Sequence, residues 1–268
     1  MTASHFALVR HMLSLLTDLP TLGPEPPPAP GPLDVHIWRH DHGAGMGPDR
    51  ISALLAQLSP DEHTRFARLS DSRRRHQFVV GRALCRHVLS RYAPVLPEEW
   101  RFGLGNRGKP FVAAPSLSSP LWFNLSHTDG VSVCAVTGAG PEIGIDIERI
   151  ALRRDAHEIA EQFFPEVEVN ALRLLPAAQR GETFVRIWAL KESFVKARET
   201  SLADGICGTA FDLARTDDIG VTFYEPLHER AQEWQFNLFQ LEARIVALAV
   251  RTQTTGTLSL RVGTPLEL

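Results

Sequence analysis

The main body of this sequence contains a diverged internal repeat, and a repeat restricts the possible folds more than any single segment does. Three segments of the first half recur in the same order in the second half, at offsets of 105 to 113 residues. The paired segments are 58–62 with 163–168, 78–84 with 184–190, and 123–125 with 236–238. Each copy predicts a strand, a short helix, a long helix and a pair of strands. We therefore expect an α+β fold of two similar subdomains, each an α/β two-layer half, in a pseudo-twofold arrangement.

Hydrophobic periodicity within each copy predicts where the long helices and one strand lie. Apolar residues at three- and four-residue spacings predict helices over residues 73–92 and 183–198, and strict alternation predicts a strand over residues 143–150. Seven prolines between residues 20 and 32 predict an extended linker without helix or sheet, after a loosely attached extension. The predicted organisation is an extension and linker (1–32), a first half (33–140), a second half (141–253) and a C-terminal tail (254–268).

Composition excludes several classes of protein. The net charge of −3 gives no sign of a nucleic-acid partner, and no apolar run approaches the roughly 20 residues of a membrane span. Arg10 and His11 interrupt the one partly apolar N-terminal stretch, which also lacks a small-residue cleavage site, so we do not expect a signal peptide. The three cysteines lie too far apart for a metal or disulfide motif, and they fit a reducing cytoplasm. They are Cys85, Cys134 and Cys207.

Two acidic residues alternate with apolar ones on the predicted strand of the second half. Asp146 and Glu148 are two positions apart, so their side chains lie on the same face of the strand. Two like charges so placed repel each other unless a cation or water separates them, and a hard cation such as Mg²⁺ prefers oxygen ligands. The alternative is an edge strand with a solvated acidic face. This segment alone does not decide between them.

The second long helix carries another carboxylate. Glu192 and Lys196 are one turn apart and face the same way on an otherwise strongly apolar helix. An exposed Glu–Lys pair would contribute only about 0.3–0.5 kcal/mol to stability, and such pairs are common on protein surfaces. The functional interpretation is that Glu192 supplies the third carboxylate that the acidic face of the strand lacks.

Polar residues at the ends of apolar stretches in the first half suggest a phosphate site. Ser126 and His127 end an apolar strand, and a serine hydroxyl, a histidine and loop amides together can bind phosphate. A Ser–His nucleophile pair is a rival interpretation, but neighbouring residues rarely point at each other and no glycines flank Ser126. A structural turn histidine is the remaining alternative.

A basic turn and one further arginine complete the candidate residues. Gly108, Lys109 and Pro110 form a turn between two extended stretches, and Arg65 lies on the predicted short helix of the first half. Basic groups bind phosphates, and a glycine lets the backbone approach a ligand closely. Solvated surface charge is the alternative for each of these side chains.

These segments resemble the 4′-phosphopantetheinyl transferase superfamily in their order and spacing. The resemblance covers residues 58–214 and is to the monomeric, double-length subgroup that serves peptide synthetases, polyketide synthases and lysine biosynthesis. The most specific motifs are G-I-D-I-E at residues 144–148 and W-x-x-K-E-S-F-x-K at residues 188–196. F-N-L-S-H at 123–127, G-K-P at 108–110 and G-R-A-L at 81–84 reinforce them.

The resemblance implies a function and a set of site residues. It implies transfer of 4′-phosphopantetheine from coenzyme A to a serine of an apo acyl or peptidyl carrier protein, by a cytoplasmic monomer with its active site between the two halves. Asp146, Glu148 and Glu192 would bind Mg²⁺ in the second half, with Glu192, Glu148 or a water as the base. Coenzyme A would be held mainly by the first half, with Lys196 of the second half on its pyrophosphate. The residues implied to contact coenzyme A are Arg65, Gly108, Lys109, Pro110, Ser126, His127 and Lys196.

Two departures from the family pattern stand out. Residues 196–202 read K-A-R-E-T-S-L and contain no glycine, where the family has K-A-x-G-x-G-L. Glu62 occupies a position where some relatives have a lysine. Two rival functions also remain: a non-catalytic module that binds coenzyme A or a carrier protein, and a Mg²⁺-dependent phosphohydrolase that acts on coenzyme A.

Overall fold

The computed structural model of the chain describes residues 13–42, 46–150, 156–213 and 219–268. The helices within these ranges are α1 (Pro48–Ala56), α2 (Pro60–Ala67), α3 (Ser72–Leu89), α4 (Ala156–Phe163), α5 (Glu166–Leu174), α6 (Ala177–Arg198) and α7 (Leu202–Cys207). The strands are β1 (Thr21–Leu22), β2 (Asp34–Asp41), β3 (Arg101–Leu104), β4 (Pro110–Ala114), β5 (Trp122–Thr128), β6 (Val131–Thr137), β7 (Ile143–Arg149), β8 (Thr209–Asp212), β9 (Gly220–Phe223), β10 (Trp234–Leu241), β11 (Arg244–Arg251) and β12 (Ser259–Gly263). None of the helices in the described ranges has the length and apolarity needed to cross a membrane.

Two sheets repeat the same arrangement of strands, which confirms the predicted α+β fold with two similar subdomains. The first sheet contains the antiparallel order β2-β6-β5, and the second has the antiparallel order β7-β11-β10. Each half also has a two-stranded hairpin, β3–β4 or β8–β9, and one long helix, α3 or α6, against its sheet. The internal repeat of the sequence is therefore a repeat of structure.

Three apolar cores hold these layers together. One lies between α3 and the first sheet, and a second lies between α6 and the second sheet. The third is formed by the opposite faces of both sheets, and it includes the alternating residues Ile143, Ile145 and Ile147 of β7. Since these isoleucines are buried there, the other face of β7 is free to carry polar residues.

Each half also buries an ion pair between its short helix and its long helix. Glu62 of α2 pairs with Arg86 of α3, and Glu168 of α5 lies 2.8 Å from the Nζ atom of Lys191 of α6. Glu62 also caps its own helix, since one of its carboxylate oxygens accepts a hydrogen bond of 3.0 Å from the Ser59 amide. Buried charges are found almost only in such pairs, because desolvation of a single charge is very unfavourable. The paired helices are thus fixed relative to each other in both halves.

The ends of the chain depart from the predicted organisation. The proline content predicts no sheet structure in the linker, but Thr21–Leu22 pairs in parallel with β12, and β12 pairs in parallel with β2. The predicted tail 254–268 is consequently part of the first sheet. The physical reason is burial of apolar side chains, since Leu22, Leu258 and Val262 are all buried. Residues 1–12 of the predicted extension lie outside the described residues.

The predicted helices and strand agree with the structure except at their ends. α3 covers Ser72–Leu89 where residues 73–92 were predicted, and β7 ends one residue before the predicted strand. α6 begins at Ala177, six residues before the predicted start at 183. That first part of α6 is mostly polar or alanine, so it lacks the apolar periodicity on which the prediction depended.

Close packing of α6 on β7 fixes the relative position of the two acidic elements. A Cβ atom at Gly144 would lie 1.9 Å from the carbonyl oxygen of Ser193 and 2.6 Å from the amide nitrogen of Ala197. These are backbone atoms, which cannot move aside without shifting the helix. Glycine is therefore required at this point of contact.

We predict that Gly144→Ala displaces α6 from β7 and lowers both stability and activity. The expected loss of stability is roughly 1–3 kcal/mol, the usual range for overpacking in a core. Thermal melting measures this loss, with Gly23→Ala as the matched control, since no atom lies within 4 Å of the Cβ position at Gly23. If Gly144→Ala has the same melting temperature as the control variant, the close contact between α6 and β7 is contradicted.

Candidate functional site

The edge strands of the two sheets lie side by side. β5 is the last strand of the first sheet, and β7 is the last strand of the second. The side chain of Asn124 on β5 accepts a hydrogen bond of 2.9 Å from the backbone amide of Ile145 on β7. This bond joins the two halves at the point where the polar face of β7 begins.

A cleft of about 420 Å³ opens above this junction. This volume lies within the range of pockets that bind small molecules. Nine of the ten site residues predicted from the sequence line it: Arg65, Gly108, Pro110, Ser126, His127, Asp146, Glu148, Glu192 and Lys196. Both halves contribute to the lining, so the cleft lies where the sequence analysis placed an active site.

Asp146 is the central acidic residue of the cleft. Its side chain is buried, and its Oδ1 atom accepts hydrogen bonds from the Ser126 hydroxyl, at 2.9 Å, and the Lys196 ammonium, at 2.6 Å. Its Oδ2 atom is buried and has no hydrogen-bond partner within the described ranges. A buried carboxylate oxygen without a partner is costly, and a bound cation is one way to satisfy it.

Lys196 balances the charge of the carboxylates. Besides Asp146, its Nζ atom contacts the hydroxyl oxygen of Ser126 at 2.9 Å and the carbonyl oxygen of Ile145 at 3.3 Å. Lys196 is therefore directed into the cleft, and the alternative of a surface pair with Glu192 is wrong for this lysine.

Glu192 lies one turn before Lys196 on α6. Burial raises the pKa of Glu192, the Lys196 ammonium lowers it, and the negative charge of Asp146 raises it further, with a net rise. Burial and the nearby Asp146 together disfavour the ionised form of Glu192.

The donor set of the cleft fits a hard divalent cation in part. Three carboxylates line one cleft, one oxygen of Asp146 has no partner, and such a cation favours oxygen ligands. Among the residues that the structure describes, however, no three His, Cys, Asp or Glu side chains converge closely enough to hold a metal by themselves. The residues therefore suit a cation that takes its remaining ligands from water and substrate, as Mg²⁺ commonly does.

The opposite wall of the cleft is basic, and it contains one residue that the sequence analysis did not assign. Arg82 of α3 lines the cleft, its guanidinium lies 5.4 Å from the ring centre of Phe78, and Arg65 contacts the same ring at 5.8 Å. The Nη1 atom of Arg82 is buried and has no hydrogen-bond partner within the described ranges. Phe78 and Arg82 are one helical turn apart in the sequence, and this spacing was the signal that could have indicated their contact.

Glu62 does not line the cleft, although some relatives have a lysine at its position. It is buried behind the basic wall, where it pairs with Arg86 and lies 3.3 Å from the Nε atom of Arg82. Burial raises the pKa of Glu62, but hydrogen bonds from Arg86 and the Ser59 amide lower it by more. Glu62 thus orients Arg82 at the wall of the cleft.

The remaining phosphate-site candidates occupy different positions. His127 reaches solvent at the edge of the cleft, where partial enclosure and then the Lys196 ammonium lower its pKa. Gly108 has a φ of +81°, a conformation that residues with a side chain disfavour.

Lys109 was predicted to join these residues, but its side chain bridges the two halves instead: its Nζ atom donates to the carbonyl oxygens of Pro141, at 2.5 Å, and Ala197, at 3.4 Å. Burial in this bridge lowers the pKa of Lys109 to about 8.

The segment after α6 reaches its turn without glycine. Glu199 follows the last residue of α6 and has a φ of +53° and a ψ of +39°, the left-handed conformation that glycine favours. A residue with a side chain adopts it at a cost of about 1–2 kcal/mol. The turn therefore has the left-handed form although no glycine is present, and this conformation is less stable locally than it would be with glycine.

Comparison with known proteins shows the family of this chain. A family described as the 4′-phosphopantetheinyl transferase superfamily matches residues 142–250, and one described as 4′-phosphopantetheinyl transferase, N-terminal, matches residues 47–138. The chain is 35% identical over 170 residues to the 4′-phosphopantetheinyl transferase HetI of Nostoc sp., an alignment that covers 63% of this chain and 70% of that protein.

Two further relatives are also named as 4′-phosphopantetheinyl transferases. The chain is 30% identical over 181 residues to the 4′-phosphopantetheinyl transferase gsp of Aneurinibacillus migulanus, covering 65% of this chain and 73% of that protein. It is also 30% identical over 150 residues to the 4′-phosphopantetheinyl transferase Sfp of Bacillus subtilis, covering 56% of this chain and 64% of that protein. With one matching family on each half and a shared cleft between them, the chain belongs to the 4′-phosphopantetheinyl transferase superfamily.

Proposed function

We propose that this chain transfers 4′-phosphopantetheine from coenzyme A to a serine of an apo acyl or peptidyl carrier protein, giving holo-carrier and 3′,5′-ADP. The observation that carries the proposal is that carboxylates of the second half and basic residues of the first line the same cleft. A pyrophosphate ester fits between such walls, because the basic side attracts its phosphates and the acidic side can share a cation with them. The three cysteines are unpaired thiols, which supports a cytoplasmic setting.

The basic wall would hold coenzyme A through its phosphates. Arg65 and Arg82 present guanidinium groups, which bind phosphate oxygens with two parallel hydrogen bonds. Gly108 and Pro110 would contact the adenosine end through their backbone, with Ser126 and His127 beside the 3′-phosphate. Lys109 would join them by rotating away from the carbonyl oxygens of Pro141 and Ala197.

Asp146, Glu148 and Glu192 would hold Mg²⁺ together with phosphate oxygens of the substrate. The cation would neutralise charge on the pyrophosphate. Lys196 would place an ammonium beside the same oxygens and stabilise the charge that develops on the departing 3′,5′-ADP. Glu192, directly or through a water, would take the proton from the carrier serine. The serine oxygen then bonds to the β-phosphorus as the bond from that phosphorus to the ADP oxygen breaks.

We predict that the intact mass of an apo carrier protein rises by one phosphopantetheine after incubation with this chain, coenzyme A and Mg²⁺. Equimolar 3′,5′-ADP should form, and excess chelator should stop the reaction. Release of 3′,5′-ADP in the absence of carrier would indicate a phosphohydrolase. Binding of coenzyme A without any product would indicate a non-catalytic module.

We predict that Glu192→Gln transfers phosphopantetheine at least about a hundredfold more slowly, which corresponds to roughly 3 kcal/mol in the activation barrier. The variant keeps the shape of the side chain and removes its charge, so it should still melt as a folded protein. Glu182→Gln is the matched control, because Glu182 lies on the same helix in a partly exposed pair with Arg186. Equal turnover of the two variants at saturating substrate and Mg²⁺ would remove Glu192 from the mechanism.

We predict that kcat/KM for coenzyme A falls as the pH rises through about 8, because Lys109 then loses the proton that attracts phosphate. The quantity kcat/KM reports the pKa values of the free enzyme, in which Lys109 lies between the two halves. Lys109→Arg keeps its charge through this pH range and should lose the step near pH 8. Lys109→Met should raise the KM for coenzyme A below pH 8 and approach the wild type above it. Identical pH profiles for the wild type and Lys109→Arg would show that Lys109 only joins the two halves.

A further inference from the structure

Lys196 makes a complete set of polar contacts in the chain alone. Its ammonium has three donor hydrogens and three oxygen partners: Asp146 Oδ1, Ser126 Oγ and the Ile145 carbonyl. The Asp146 side chain is only 6% exposed, so its charge needs a partner inside the protein. Lys196 is therefore the counterion of Asp146 when no ligand is bound.

This pairing competes with a divalent cation for the same carboxylate. Asp146 Oδ1 already accepts two hydrogen bonds, and only Oδ2 has no partner within the described ranges. An ammonium at 2.6 Å from Oδ1 would repel a second cation bound to the same group. The lack of three convergent metal ligands among the described residues is consistent with this arrangement.

We propose that Lys196 acts as an internal cation for Asp146, so that the divalent metal enters together with coenzyme A and binds only weakly before it. This inference rests on the proposed function. The pyrophosphate of coenzyme A offers the Lys196 ammonium new oxygen partners, and it also brings ligands that the metal needs. The substrate of the chain is then the metal complex of coenzyme A, and Lys196 sets the order of binding.

The exchange needs only a rotation of the Lys196 side chain. Lys196 has a flexible four-carbon side chain, which is 27% exposed to the cleft. It lies in the last turn of α6, one turn beyond Glu192. The contact between Gly144 and the α6 backbone holds the helix against β7, so the side chain of Lys196 can turn toward a ligand while the carboxylates stay in place.

Binding of Mn²⁺ to the full-length chain tests the proposal without any turnover. Electron paramagnetic resonance measures free Mn²⁺, a probe for Mg²⁺, with the chain alone and with saturating coenzyme A. For the wild type we expect coenzyme A to tighten Mn²⁺ binding at least tenfold. Lys196→Met should bind Mn²⁺ at least tenfold more tightly than the wild type in the absence of coenzyme A, and coenzyme A should add less to it.

Arg173→Met is the control, because it removes the same charge from an exposed pair with Glu161 outside the cleft and should leave Mn²⁺ binding unchanged. Lys196→Met should melt below the wild type without metal, and Mn²⁺ should raise its melting temperature more than that of the wild type. If Lys196→Met does not fold, Lys196→Gln provides the same comparison with a polar side chain.

The inference is wrong if Lys196→Met and Lys196→Gln bind Mn²⁺ no more tightly than the wild type in the absence of coenzyme A. That outcome would leave the proposed transferase activity intact, since transfer to an apo carrier by the wild type is measured separately. Conversely, a wild type that modifies no carrier but shows the predicted Mn²⁺ affinities would refute the function alone.

Discussion

Two polar side chains on β5 join the halves of the protein, and the site depends on that junction. Asn124 accepts a hydrogen bond from the amide of Ile145, and Ser126 donates one to Asp146. Both are on β5 and both reach β7, so the edge strand of the first half positions the acidic strand of the second. Edge strands expose unpaired backbone groups, and here the first half satisfies one of those groups on β7.

Asn124 and its counterpart in the second copy of the repeat have different surroundings, which shows what Asn124 does. Its counterpart in the second copy is Asn237, on β10, and the Oδ1 atom of Asn237 is buried without a hydrogen-bond partner among the described residues. The motif is thus present twice, but only the first copy lies beside another sheet of the repeat. Duplication produced two similar halves, and the cleft formed where the end of one sheet meets the start of the next.

The sequence predicted the repeat and the α+β class because both depend on local periodicity and on spacing. Nine of the ten site residues predicted from the sequence line the cleft. It did not predict the position of Lys109, whose partners Pro141 and Ala197 are backbone carbonyls distant in the sequence. Residues 20–32 and the C-terminal segment were misjudged for a related reason. Proline content describes local stiffness, whereas the pairing of β1 and β12 depends on a sheet that only the folded chain provides.

We propose above all that carboxylates of the second half and basic residues of the first bind one metal–coenzyme A complex in the cleft. Anomalous diffraction from Mn²⁺ in crystals grown with coenzyme A locates both components directly. We predict an anomalous peak bonded to oxygens of Asp146, Glu148, Glu192 and the pyrophosphate, with the Lys196 ammonium on phosphate and no longer on Asp146. A peak outside the cleft, or coenzyme A bound away from Arg65 and Arg82, would contradict it.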